Sequence, residues 1–92
     1  MQEELRKVIE TLRRQRVRQD DFMPVLDCVV EQASKLHHLA PLGPIQIEAG
    51  LMRSRAFELQ RMARSVPKFV VEDLLDESIE RLEALTRDGE RS

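Results

Sequence analysis

Residues 71–85 read Val-Glu-Asp-Leu-Leu-Asp-Glu-Ser-Ile-Glu-Arg-Leu-Glu-Ala-Leu, and their ordering decides the fold class. Val71, Leu74, Leu75, Ile79, Leu82 and Leu85 recur at steps of three and four, which lines them along one side of an α-helix. Glu72, Asp73, Asp76, Glu77, Glu80 and Glu83 fill the opposite side. Such a stripe specifies a helix with one buried face, and it specifies no reaction.

The helix is bounded on both sides. Upstream, Ser65-Val66-Pro67-Lys68 interrupts any earlier helix, because the residue before a proline is pushed out of the α region. Downstream, Asp88-Gly89 stands where glycine usually stops a helix. Before the break, Ala49, Met52, Ala56, Leu59 and Ala63 form a seam of small and medium residues that lets another helix approach closely. Gly50 lies off that seam and weakens its helix by about 1 kcal/mol relative to alanine.

Pro41, Gly43 and Pro44 force a turn ahead of it. Further upstream, Phe22, Val25, Leu26, Val29, Val30, Ala33 and Leu36 share one helical face, with Pro24 in the first turn and Asp20 or Asp21 available to cap it. Leu5, Val8, Ile9 and Leu12 make a shorter amphipathic helix at the start.

The expected architecture is therefore all-α, with helices over about 2–16, 22–37, 45–63 and 70–86 in one domain, and the tail 87–92 frayed. Short connections favour antiparallel neighbours, hence an up-down bundle of three long helices and a shorter first one. A chain of 92 residues builds only a modest core, so self-association is expected as well.

Composition narrows the function classes. With 41% hydrophobic and 35% charged residues the chain can fill a core and cover it with charge. Its aromatics are Phe22, Phe57 and Phe69, which leaves no Trp or Tyr platform for stacking single-stranded bases. No apolar run approaches the roughly 20 residues that span a bilayer. The lone Cys28 cannot form an internal disulfide, and no stretch resembles a signal peptide, so the cytoplasm is the expected compartment.

Chemistry-bearing groups are sparse. His37 and His38 are adjacent and diverge on a helix, and Cys28 points elsewhere again, so no metal site is expected. Neither a nucleophile elbow nor a phosphate-cradling glycine loop is present, and Glu72, Asp73, Asp76 and Glu77 read as solvated carboxylates. No catalysis and no cofactor are expected.

Charge is the other organised property. Residues 51–68 hold five bases and one acid, a net of +4, and residues 71–90 hold eight acids and two bases, a net of −6. Either the two helices are neighbours whose flanks attract, or one face docks a partner of opposite charge.

Phe57 lies about a third of a turn off the alanine and methionine seam, among Arg53, Gln60, Arg61 and Arg64. Either another helix covers it, or it is an exposed anchor ringed by arginines, the pairing enriched at protein interfaces. The expected function is a non-catalytic protein-binding module, a homodimer or a subunit of a hetero-complex. Its contact set is Arg53, Phe57, Arg61 and Arg64, with Asp76, Glu80 and Glu83 as a secondary acidic face.

The rival reading is a nucleic-acid binder using Arg6, Lys7, Arg13, Arg14, Arg16 and Arg18. A pI near 5.7 opposes it. So do the long, proline-bearing turn at 39–44, which does not suit a helix-turn-helix, and Pro67, which does not suit a ribbon strand.

Overall fold

The four apolar stripes close on one another as an up-down bundle. A computed structural model describes residues 1–91, with backbone alone at 63, 90 and 91. It holds α1 (Gln2–Arg13), α2 (Met23–Leu39), α3 (Pro44–Arg61), a single 3-10 turn (Ala63–Ser65) and α4 (Lys68–Arg91). Among the described residues there is no strand. The first helix is the shortest, at 12 residues against 17, 18 and 24.

Pairings between helix ends fix the antiparallel order. Glu4 at the start of α1 meets Lys35 late in α2, and Asp27 early in α2 accepts a hydrogen bond from Gln60 late in α3. Glu48 early in α3 meets Arg81 in the second half of α4. The first turn of α1 returns to the end of α4, where Gln2 packs beside Gly89. α2 with α3 forms the most extensive helix pair, and α1 and α3 each also pack on α4.

The expected stripes are the observed core. Leu5, Val8, Ile9 and Leu12 of α1, Val25, Leu26, Val29, Ala33 and Leu36 of α2, and Val71, Leu74, Leu75 and Leu82 of α4 are buried. Ala49, Met52 and Ala56 supply the α3 seam, with Leu59 half-buried, while the side chain of Ala63 lies outside what the structure describes.

Three boundaries differ from expectation. α1 ends at Arg13 rather than near residue 16, because the Gln15 amide donates to the Thr11 carbonyl at 3.0 Å and the Arg16 guanidinium reaches the Arg13 carbonyl at 3.4 Å. These side chains satisfy end carbonyls that another turn would have used. Neither Asp20 nor Asp21 caps α2, since the cap position falls on Phe22, whose carbonyl receives the Val25 and Leu26 amides. The half-buried Phe22 ring fixes the helix entry by packing on the core. Gly89 does not stop α4, which continues through Arg91 with Ser92 outside the described residues. A glycine stop needs a positive φ, and among the described residues only Gly43 has one. Gly89 instead gives room to α1, because a β-carbon there would land on the Gln2 amide.

One buried position breaks the apolar rule. Ser78 sits between Leu74 and Leu82 on the core face, 1% exposed, and its hydroxyl has no hydrogen-bond partner among the described residues. An unsatisfied buried hydroxyl is costly, so Ser78→Ala is expected to raise stability by about 1 kcal/mol in denaturant titration. Leu26→Ala is expected to lower it by about 2–5 kcal/mol, because Leu26 is fully enclosed. A destabilising Ser78→Ala would show that the hydroxyl is satisfied after all.

Candidate functional site

The residues singled out for partner binding fall into two groups that the fold treats differently. Phe57 is 39% exposed, so no helix covers it. The seam residues Ala49, Met52 and Ala56 turn inward and leave Phe57 on the flank of α3, with Gln60 and Arg61 bordering the same shallow depression. The Arg53 guanidinium lies 5.3 Å from the centre of the Phe57 ring. A cation over an aromatic face at an exposed site contributes about 0.5–1 kcal/mol and holds both groups in one posture. Gln60 is held in turn by its 2.7 Å bond to Asp27 of α2. Arg61 and Arg64 are exposed and form no ion pair among the described residues.

The acidic group is partly spent inside the molecule. Glu83 accepts Arg13 of α1 at 2.6 Å, and Glu77 bridges Arg55 of α3 at 2.9 Å and Arg81 at 2.7 Å. The two helices of opposite charge are thus neighbours whose flanks pair. Asp76 and Glu80 remain exposed and form no ion pair among the described residues. They flank a depression with Ile79 and Glu83 on the outer side of α4.

Other groups of chemical interest do not converge. His37 and His38 are exposed, and a β-carbon at Gly50 would lie in ordinary contact, 3.6 Å, with the His37 ring. Cys28 is half-buried, and burial followed by the nearby Glu31 carboxylate pushes its thiol pKa up. That keeps it protonated and weakly nucleophilic. Among the described residues no three His, Cys, Asp or Glu side chains group as a metal site. No described helix is long and apolar enough to cross a membrane.

Sequence reading missed several exposed apolar side chains. Leu39, Leu42, Ile47 and Leu51 surround the α2–α3 turn, with Leu42 91% exposed, while Met62 and Phe69 flank the α3–α4 turn. The signal was available for Ile47 and Leu51, which lie across the α3 wheel from Ala49, Met52 and Ala56.

No protein-family model, curated protein or solved structure matches the chain. The functional reading therefore rests on these side chains.

The Glu77 bridge yields a pH dependence. Arg55 first and Arg81 second hold the Glu77 carboxyl below its ordinary pKa. A carboxyl lowered on folding contributes stability above its unfolded pKa and loses that contribution as pH falls through its folded value. The melting difference between wild type and Glu77→Gln is expected to be small at neutral pH, to shrink in high salt and to close in acid. A difference that widens in acid would contradict the bridge.

Proposed function

We propose that this chain is a non-catalytic protein-binding module that docks through the Phe57 face of α3, with Arg53, Arg61 and Arg64 around the anchor. The observation carrying this reading is the exposure of Phe57 under the Arg53 guanidinium, at a place where the core gains little from it. Phe57 keeps 39% of its surface in water, and aromatic side chains with arginine dominate binding energy at protein interfaces. Asp76 and Glu80 form the secondary face, on which acidic side chains steer a basic partner.

The partner is another protein or a second copy of this chain. A small core with exposed Leu42, Ile47 and Leu51 favours association, since burying such side chains gains about 25 cal/mol per Å² removed from water. The compartment that fits a chain with a single cysteine is the cytoplasm.

Phe57→Ala is the direct test. Its helical circular dichroism and unfolding free energy are expected to stay within about 0.5 kcal/mol of wild type, as for a surface substitution. Proteins retained by the wild-type bait from its native extract are expected to be lost from the Phe57→Ala bait. Equal retention by both, or a loss of several kcal/mol in stability, would overturn the assignment.

A further inference from the structure

We infer that the outer face of α3 packs on the same face of a second copy of this chain, antiparallel, about a twofold axis level with residue 52. This rests on the reading of the Phe57 face as a docking surface and names its occupant. α2 takes one flank of α3, through Asp27 and Gln60, and α4 takes the other, through Glu77 with Arg55 and Arg81 with Glu48. Between those flanks Ile47, Gly50, Leu51, Ser54, Phe57 and Arg61 fall within about 120° of the helix wheel, at 100° per residue. Ile47 is 65% and Leu51 50% exposed.

The spacing is that of a second packing seam. Positions 47, 50, 54, 57 and 61 recur by three and four, as on a helix that meets another helix, while the inner seam of Ala49, Met52 and Ala56 already serves the core. Gly50 fits this reading. A β-carbon there would meet the His37 ring at ordinary contact distance, so packing within the chain does not require glycine, which weakens the helix by about 1 kcal/mol relative to alanine. Bare backbone at 50 beside the short Ser54 lets an outside helix come close.

The strip complements itself. Residues 47 and 57, and 50 and 54, are symmetric about 52, so antiparallel order sets Ile47 on the second copy's Phe57 and Gly50 on its Ser54. Large meets large at the ends and small meets small in the middle. Parallel order would press the two Arg61 side chains together, whereas antiparallel order holds them about 27 Å apart along the helices. The like charges left near the axis are the two copies of Arg53, on one flank.

Area and charge favour a second copy over another protein. At roughly 200 Å² for a fully exposed large side chain, Leu42 at the head of α3 with Ile47, Leu51 and Phe57 present about 500 Å² of apolar surface. Two such faces bury about 1,000 Å², where specific interfaces begin, so the dimer is reversible. Arg53 and Arg61 stand beside the exposed Glu58, so the face offers no single sign of charge to select a partner.

Sedimentation equilibrium of the full chain, from micromolar to millimolar concentration, tests this. A monomer–dimer equilibrium is expected that holds or strengthens in high salt, because the seam is apolar and the Arg53 charges repel. Ile47→Glu, Phe57→Lys and Ser54→Arg are each expected to weaken it about tenfold or more with unchanged circular dichroism. Ser54 is exposed, so its variant keeps the test valid if a change at Phe57 unfolds the chain. Mixing Ile47→Glu with Phe57→Lys is expected to restore association, since antiparallel order sets the two new charges in one layer and leaves the other layer wild type.

A chain that stays monomeric, a dimer indifferent to Ser54→Arg, one that weakens with salt, or a mixture that stays apart would overturn the inference. If the chain is monomeric and the Phe57→Ala bait still loses its partners, the inference fails and the Phe57 reading stands. If Ile47→Glu abolishes the dimer while Phe57→Ala changes neither dimer nor bait, both fail.

Discussion

The packing of α2 on α3 is the contact on which the rest of the molecule depends. α2 presents Leu26, Val29, Ala33 and Leu36 fully buried, and α3 answers with Ala49, Met52 and Ala56. Alanine at the facing positions lets the backbones come close, so the dispersion contacts of the larger α2 side chains reach across the seam. Once this hairpin forms, its open side offers a groove that the stripes of α1 and α4 fill, and the ion pairs Arg55–Glu77 and Arg13–Glu83 set their register at little energetic gain.

A seam made of small residues has a consequence on the surface. Because α3 buries only a narrow strip, the larger side chains on the rest of its wheel, Ile47, Leu51 and Phe57, remain in water. The packing that stabilises the bundle thus also leaves its apolar surface uncovered. The up-down order also gathers the link after α1 and the turn after α3 at one end, where Arg16, Lys68 and Arg64 lie among Asp20, Asp21, Glu72 and Asp76. Exposed apolar groups beside exposed arginines are the physical ground for the binding role proposed above.

Much of the fold was legible in the sequence because helical periodicity reports burial directly. The stripes of α1, α2 and α4 and the inner seam of α3 all face the core as their spacing requires. Helix ends were less legible, since they depend on local competition for a few amides and carbonyls. Gln15 and Arg16 folding back on α1, and Gly89 serving as a close-approach point, cannot be distinguished by residue type from a continuing helix and a stop. The exposure of Phe57 depends on how far the neighbouring helices wrap round α3, which no wheel reports.

Native-state hydrogen exchange, read residue by residue, tests the organising role of the α2–α3 seam most directly. The account predicts that amides within 26–36 and 52–59 exchange slowest, at the free energy of global unfolding, while α1 and the ends of α4 open at lower cost. If amides of α1 and α4 outlast those of α2 and α3, the bundle is built around a different pair and the account is wrong.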